Sequence, residues 1–157
     1  MERSKKKGRY ERLFKQIKEL VEKSSNNPLS DMATIIAVIH HKMDYFYWTG
    51  FYLLQDGKLQ VALYQGPLAC INLAKNTGVC WAAVNKKETI IVGNVEEFPG
   101  HIACDSRSKS EIVIPIINSK NEVVGVLDVD STALNSFDDT DALWLKKIVG
   151  LIQISKL

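Results

Sequence analysis

The sequence predicts an α+β domain in which a central antiparallel sheet packs one face against N- and C-terminal helices. Segments with helical spacing of apolar residues lie at both ends of the chain, and two pairs of strand-like segments between them are each joined by a short turn. Strands joined by short turns pair antiparallel, and helices commonly cover one face of such a sheet. The length of 157 residues fits one domain covering residues 1–157.

Two amphipathic helices are predicted near the start of the chain. The first covers residues 10–23. Its apolar face consists of Leu13, Phe14, Ile17, Leu20 and Val21. Turn residues at 24–28 end this helix, and Ser30 is expected to cap the second one. We expect the basic segment 1–9 to be flexible, as a solvated tail or the first turn of a helix, rather than a phosphate-binding arm, because the net charge is small.

Five strands are predicted from β-branched, aromatic and alternating segments. They lie at residues 45–54, 58–64, 89–92, 111–118 and 122–130. Asp56-Gly57 joins the first two strands and is a dipeptide that favours tight hairpins, while residues 119–121 join the last two. Long loops are expected at 65–77 and 94–110, and loops of this length in compact domains tend to be functional.

Two further helices follow from the pattern. Residues 78–85 form a short helix, and the last helix begins after Asp138, which is expected to cap it. The core face of the last helix is expected to consist of Leu143, Leu145, Ile148, Val149 and Ile152.

Charge and composition exclude several classes of protein. Lys plus Arg total 20 and Asp plus Glu total 18, so the net charge of +2 provides no basic field for nucleic acid. No apolar run reaches the roughly 18 residues that a membrane-spanning helix needs, and no secretory signal is evident. Three cysteines are too few for a secreted disulfide framework. We therefore expect a soluble cytoplasmic protein with reduced thiols.

The three cysteines are the first candidates for chemistry. Cys70 and Cys104 lie in the two long loops, and Cys80 lies among apolar residues. Cys104 is the strongest candidate because a histidine, an arginine and a lysine lie within residues 101–109, and positive neighbours lower the pKa of a thiol. For Cys80, a functional role and simple burial are equally supported.

Two other uses of the thiols are open. One is a zinc site with three cysteines and a histidine as ligands, which would be Cys70, Cys80, Cys104 and His101. Structural zinc sites usually take ligands in close pairs, whereas the gaps between these cysteines are nine and twenty-three residues, so we expect no resident metal. A cysteine–histidine nucleophilic pair needs an orienting Asn or Asp that the sequence does not place.

Three acids are expected to cluster at one end of a hairpin. Period-two geometry puts Asp128 and Asp130 on one face of their strand, and the turn at 119–121 brings Glu111 close to both. Neighbouring carboxylates repel one another, which raises at least one pKa and provides a general acid near neutral pH. The alternative is that these acids are solvated strand ends.

Aromatic residues dominate the first predicted strand. Alternation sends Tyr45, Tyr47, Thr49 and Phe51 to one face, and Phe46, Trp48, Gly50 and Tyr52 to the other. One set is expected to fill the core, and the other to line a pocket in which Trp48 offers a flat apolar wall. A thiol, an acid cluster and an aromatic wall together indicate a small polar ligand and thiol-based redox chemistry.

Six motifs in order along the chain carry a family resemblance. They are Trp48-Thr49-Gly50-Phe51-Tyr52, Gly66-Pro67-Leu68-Ala69-Cys70, Thr77-Gly78-Val79-Cys80, Gly100-His101-Ile102-Ala103-Cys104-Asp105, Ser110-Glu111-Ile112-Val113 and Gly125-Val126-Leu127-Asp128-Val129-Asp130-Ser131. The sequence resembles the free methionine-(R)-sulfoxide reductases, which are GAF-domain enzymes. Trp81 stands where that family commonly has a small residue.

The resemblance implies a role for each candidate residue. Cys104 matches the catalytic cysteine, whose thiolate would attack the sulfoxide sulfur and become a sulfenic acid. Cys70 matches the resolving cysteine that would form a disulfide with Cys104, with Cys80 as an alternative resolver. The substrate-binding residues would be Trp48, Tyr52, Glu111, Asp128 and Asp130, with one of the acids donating a proton.

The resemblance also implies partners. Thioredoxin would reduce the disulfide by thiol exchange, no cofactor would be needed, and the terminal helices would form a homodimer. Two other functions compete with the reductase. A ligand-sensing GAF module would bind a small molecule without catalysis, although sensing does not need three thiols. A zinc-stabilised structural protein would unfold when a chelator removes its metal.

Overall fold

Six strands form an antiparallel sheet at the centre of the structure. The computed structural model describes residues 1–24, 26–101 and 104–157. The strands are β1 (Trp48–Gln55), β2 (Lys58–Gln65), β3 (Asn72–Leu73), β4 (Ile90–Val92), β5 (Ser110–Ile117) and β6 (Val123–Ser131). Each neighbouring pair in the order β3-β2-β1-β6-β5-β4 runs antiparallel. The predicted α+β class with a central antiparallel sheet is confirmed.

Helices cover the two faces of this sheet unequally. They are α1 (Arg3–Val21), α2 (Pro28–Lys42), α3 (Gly78–Lys86) and α4 (Asp139–Val149), with 3-10 helices at Val95–Glu97 and Ile154–Lys156. α1, α2 and α4 share a core with one face of the sheet, including Phe51, Ile112 and Leu127, as predicted for the terminal helices. α3 packs on the opposite face beside Val113 and Val126. No helix formed by the described residues is long and apolar enough to cross a membrane.

α1 begins at Arg3, so the prediction that residues 1–9 form a flexible segment is wrong for most of that segment. Lys6 is buried, and its Nζ lies 2.6 Å from Asp141 Oδ2 and 3.1 Å from Asp138 Oδ2. Acids at the N-terminus of α4 therefore neutralise a lysine from the basic segment. The local sequence pattern predicts a solvated charge for this lysine, because its partners lie more than 130 residues later in the chain.

Side-chain caps fix the starts of two helices. The sequence predicts Ser30 as the cap of α2, but Asn27 takes that role and accepts a hydrogen bond from the Ser30 backbone N–H at 3.2 Å. Pro28 holds the first helical position, where a backbone N–H has no intrahelical acceptor in any case. Asp138 caps α4 as predicted, in a reciprocal capping box with Asp141.

Two leucines predicted for core faces are exposed instead. Leu20 is 40% exposed and Leu143 is 53% exposed. Successive residues of an α-helix are rotated by about 100°, so Leu143 lies nearly opposite the residue two positions later. The remaining predicted core residues at the end of the chain are buried: Leu145, Ile148, Val149 and Ile152.

The predicted hairpins form, and short elements interrupt the predicted loops. Asp56 and Gly57 both have positive φ, at 51° and 72°, which is the backbone of a type I′ hairpin turn. The loop 65–77 contains β3, and the loop 94–110 contains a 3-10 helix. Ser25, Ile102 and Ala103, which belong to a predicted turn and a predicted loop, lie outside the described residues.

β1 is shorter than predicted at its N-terminal end. It begins at Trp48, and from there the predicted alternation holds, with Phe51 in the core shared with three helices and Tyr52 on the other face. Tyr45 and Phe46 precede the strand, and both pack with the helices. The predicted alternation fails for this pair because period-two geometry applies only within a strand.

Candidate active site

A cavity lies between α3 and the open face of the sheet. It is lined by seven of the eight site residues that the sequence predicts: Trp48, Tyr52, Cys80, Cys104, Glu111, Asp128 and Asp130. The eighth, Cys70, is bonded to Cys104. The space between its walls, including the open mouth, is about 650 Å³.

Strand register brings the acids together. Glu111 on β5 pairs with Asp130 on β6, and Asp130 also pairs with Trp48 on β1. Asp128 pairs with Gly50 in the same β1–β6 ladder. Directly paired residues share a face of the sheet, as do residues two positions apart on one strand. The structure therefore brings the three acids together, as the hairpin predicts, and also places them on the same face of the sheet as Trp48.

The aromatic wall is held in place by close packing. The Trp48 ring stacks with Tyr64 and Tyr52, with ring centroids 5.4 and 5.8 Å apart, and its Nε1 donates a hydrogen bond to the Pro67 carbonyl at 3.0 Å. Gly50 makes room for the ring, since a Cβ at that position would lie 2.4 Å from Trp48 Cη2. These contacts preorganise a flat apolar surface beside the acids.

The three carboxyl groups are in an environment that favours their protonated forms. Burial raises the pKa of each, and the charges of neighbouring carboxylates raise those of Glu111 and Asp130 further. Burial raises the pKa of Asp128 to about 6, against an opposing effect of hydrogen bonds from Glu111 and Cys80. Asp128 Oδ1 is buried and has no hydrogen-bond partner among the described residues. Such a cluster can hold a proton and a negative charge together near neutral pH.

A disulfide between Cys70 and Cys104 joins the two long loops. Their Cα atoms are 5.5 Å apart, and Cys104 is exposed while also lining the cavity. The backbone carbonyl of Cys70 accepts a hydrogen bond from the Tyr52 hydroxyl at 3.2 Å. The cavity wall therefore fixes one end of the disulfide, and the other end is accessible to solvent.

The cations near Cys104 in sequence are engaged with acids. Arg107 Nη2 lies 2.7 Å from Asp105 Oδ2, and Lys109 Nζ lies 3.6 Å from Glu96 Oε1. Asp105 also accepts a hydrogen bond from the Tyr47 hydroxyl, and the Arg107 hydrogen bonds hold the pKa of Asp105 well below its usual range. These contacts organise the loop that follows Cys104.

The N-terminus of α3 also faces the cavity, through Thr77, Gly78 and Val79. Thr77 is the N-cap residue, but its side chain makes no capping hydrogen bond, and its hydroxyl donates to the Lys75 carbonyl instead. The first backbone N–H groups of a helix lack intrahelical acceptors and favour anions. The cavity wall therefore contains an anion-favouring helix terminus in addition to the acids.

Comparison with known proteins identifies the family. The GAF domain family model matches residues 27–155. The free methionine-R-sulfoxide reductase of Escherichia coli (strain K12) is 38% identical over 125 residues, which cover 80% of this chain and 75% of that protein. The chain belongs to the free methionine-R-sulfoxide reductase family of GAF domains. The resemblance inferred from the sequence motifs is confirmed.

Other similar proteins also match most of the chain. GAF domain-containing protein A of Dictyostelium discoideum is 45% identical over 144 residues, covering 91% of this chain and 89% of that protein. The X-ray structure of free methionine-R-sulfoxide reductase from Neisseria meningitidis, in complex with its substrate, is 38% identical with a TM-score of 0.87. That match covers 92% of this chain and 86% of the Neisseria chain.

Cys80, the cysteine outside the disulfide, is a free thiol on α3. It is buried, and burial together with the neighbouring carboxylates raises its pKa, so the thiol stays protonated. Trp81 is buried and is not among the residues that line the cavity, and its Nε1 donates a hydrogen bond to the Leu73 carbonyl at 3.2 Å.

The donor atoms of the cavity do not form the zinc set considered from the sequence. That set requires Cys70 and Cys104 as thiolates, and in this structure the two are joined in the disulfide. A different group is close together, with Cys80 Sγ and one carboxylate oxygen from each of Glu111 and Asp128 within 4.8 Å of one another.

Three features of the site were missed by the sequence interpretation. Gly50 and Tyr64 position the indole of Trp48, and the start of α3, which has no side-chain cap, lines the same cavity as the acids. Their roles depend on the register of β1 against its neighbours and on the face where α3 packs. The Thr77-Gly78 dipeptide was a usable signal for the start of a helix, but no local pattern shows what that start faces.

Proposed function

We propose that this chain reduces free methionine-R-sulfoxide to methionine, with Cys104 as the nucleophile. The observation that carries the proposal is a disulfide between Cys104 and Cys70 at the edge of a cavity lined by three buried acids. A thiol that attacks a substrate in this cavity has a partner thiol within bonding distance, and the acids supply a proton and negative charge. The relatives named as free methionine-R-sulfoxide reductases support the same reaction.

Substrate binding uses both the acids and the N-terminus of α3. Ionised Asp128 and Asp130 bind the ammonium group, and the unpartnered Asp128 Oδ1 is an acceptor available for it. The carboxylate lies at the N-terminus of α3, where backbone N–H groups favour an anion. The methyl group and side-chain methylenes pack against Trp48 and Tyr52. A peptide-bound methionine sulfoxide lacks both free charges, so this arrangement favours the free amino acid.

The chemistry then proceeds in three steps. The Cys104 thiolate attacks the sulfoxide sulfur and forms an S–S bond while protonated Glu111 donates its proton to the oxygen. The resulting hydroxyl then transfers to the Cys104 sulfur as the S–S bond and the substrate S–O bond break, which leaves methionine and a Cys104 sulfenic acid. The Cys70 thiol attacks the sulfenic sulfur, which forms the disulfide and releases water. A dithiol protein of the thioredoxin type then reduces the disulfide by exchange and becomes oxidised itself. Cys70 is the proposed resolver, because Cys80 is buried with a protonated thiol.

Turnover of a defined sulfoxide tests the proposal. The reduced protein is incubated with free methionine-R-sulfoxide, thioredoxin, thioredoxin reductase and NADPH, and methionine release is followed. We expect release from the free R epimer but not from the S epimer or a peptide-bound sulfoxide. Cys104→Ser is expected to abolish turnover, and Glu111→Gln to lower it by roughly 10²–10⁴-fold, the range for loss of a general acid.

A matched control distinguishes loss of the catalytic thiol from a general effect of replacing a cysteine. Cys80→Ser keeps a buried hydroxyl in place of the thiol and is expected to retain turnover. Absence of release from every sulfoxide by folded, fully reduced protein would contradict the proposal and favour the ligand-sensing module. Equal loss in Cys80→Ser and Cys104→Ser would contradict the assigned roles.

We also propose that the chain forms a homodimer through its terminal helices. Leu20 on α1 and Leu143 on α4 are exposed apolar side chains on those helices. Sedimentation of the wild-type protein beside a Leu20→Glu/Leu143→Glu variant tests this assembly. A dimer that the two charges convert to monomer is the expected result, and a wild-type monomer would contradict it.

A further inference from the structure

We propose that Cys80, Glu111 and Asp128 form an inhibitory binding site for a divalent cation of the zinc class. One donor atom from each residue lies within 4.8 Å of the other two. A tetrahedral ion with sulfur at about 2.3 Å and oxygen at about 2.0 Å holds such donors roughly 3.5 Å apart. Small side-chain rotations therefore close this group around one ion, and the open cavity supplies space for water as a fourth ligand.

The donor chemistry favours Zn²⁺ and Cd²⁺ over the hard cations. A thiolate with two carboxylates is a mixed sulfur and oxygen set, which suits borderline and soft ions. Mg²⁺ and Ca²⁺ prefer six or more oxygen ligands. The thiol of Cys80 distinguishes this group from an ordinary acidic cluster.

A second observation shows that this group can accept a positively charged ligand. Asp128 is only 6% exposed, yet its Oδ1 has no hydrogen-bond partner among the described residues. No lysine or arginine occurs among the described residues that line the cavity. An unpartnered buried carboxylate oxygen is costly, and a bound cation satisfies it while neutralising the cluster.

Cation binding and protons are linked at this site. Coordination requires the Cys80 thiolate and the ionised carboxylates, so the thiol proton and any carboxyl protons leave to solvent when the ion binds. The ion occupies Asp128, which the proposed function assigns to the substrate ammonium. Competition with substrate therefore rests on the proposed function, whereas binding of the ion does not.

Titration of the oxidised protein with Cd²⁺ tests the site directly. The disulfide removes Cys70 and Cys104 from metal chemistry, so a cadmium–thiolate charge-transfer band reports Cys80 alone. We expect saturation at one equivalent in the wild type. Cys80→Ser is expected to abolish the band, and Asp128→Asn to weaken binding by at least roughly tenfold, since even indirect partners of a metal contribute 10–100-fold to affinity.

An exposed acid elsewhere on the surface provides the control for the Cd²⁺ titration. Glu97→Gln removes an exposed acid outside the cavity and is expected to leave Cd²⁺ affinity unchanged. Absence of the band in oxidised wild type, or equal affinity in Asp128→Asn and wild type, would overturn the proposal. With turnover established, Zn²⁺ is expected to raise the apparent KM for sulfoxide and EDTA to restore it. If the chain has no turnover, the Cd²⁺ titration still decides whether the site exists.

Discussion

At the scale of single residues, the acid cluster combines binding chemistry with a cost in stability. Glu111, Asp128 and Asp130 are held in a cavity where their ionised forms are poorly solvated. A carboxyl whose pKa is raised on folding stabilises the fold below its unfolded pKa, and this contribution is lost as pH rises through the folded pKa. At neutral pH and without a positively charged ligand, the ionised carboxylates of the site therefore lower the stability of the fold.

Replacement of Asp128 by asparagine is expected to stabilise the protein at pH 7. The pKa of Asp128 rises from 3.8 to about 6 on folding, so the variant gains up to about 3 kcal/mol in the free energy of unfolding. The gain shrinks as pH falls through 6 toward 4, because the wild-type carboxyl becomes protonated in the folded protein. Urea unfolding at pH 7 and pH 4 measures both values, with Glu97→Gln as an exposed control; a pH-independent difference would contradict the expectation.

The residues of the cavity show which parts of the site could be predicted from the local sequence pattern. Glu111, Asp128 and Asp130 were predicted to cluster because a short turn and period-two alternation place them on adjacent strands. Tyr64 was not predicted, because its contact with Trp48 depends on the register between β1 and β2. The proximity of the three carboxyl groups is enough to predict that their pKa values rise. Their burial could not be predicted, because it depends on where α3 packs.

At the scale of elements, a buried ionic network ties the start of α1 to the start of α4. Lys6 contacts Asp138 and Asp141, and Asp141 also accepts hydrogen bonds from the hydroxyls of Tyr10 and Tyr45. The acidic first turn of α4 complements its own helix dipole and neutralises a cation from α1. This network explains why a run of basic residues folds as helix rather than as a tail.

Replacement of Lys6 by methionine is expected to destabilise the protein by about 3 kcal/mol, because it leaves Asp141 buried without its cation. Lys7→Met is the matched control, since Lys7 is exposed and lies 3.9 Å from exposed Glu11; its effect is expected to be below about 0.5 kcal/mol. Urea unfolding at neutral pH measures both. Similar effects of the two substitutions would show that the buried network contributes no more than an exposed ion pair.

At the scale of the whole molecule, the pairing of strands that are neighbours in sequence could be predicted, but the face of the sheet on which α3 packs could not. Both hairpins follow from turns that the sequence displays, and the terminal helices follow from apolar spacing. Neither pattern says that α3 covers the opposite face, where Cys80 meets the acids. The resemblance to the reductase family supplied the pairing of Cys70 with Cys104, which residue spacing alone left open.

The disulfide is the one covalent link between the two long loops, so its redox state is expected to change the stability of the whole fold. Cys70 and Cys104 are 34 residues apart in sequence, and closing a loop of that length stabilises a protein by about 3–4 kcal/mol in the chain-entropy model. Urea unfolding of oxidised and fully reduced protein measures the difference directly.

A variant without the two loop thiols tests whether that difference comes from the cross-link. Cys70→Ser/Cys104→Ser is expected to unfold at the midpoint of reduced wild type, with no response to reductant, since buried Cys80 is then the single cysteine in the chain. Equal midpoints for oxidised and reduced wild type would mean that the loops are held by their other contacts. With the expected result, each catalytic cycle of the proposed reductase alternates between a more stable disulfide state and a less stable dithiol state, and only the dithiol state has a free Cys104 thiol to react with substrate.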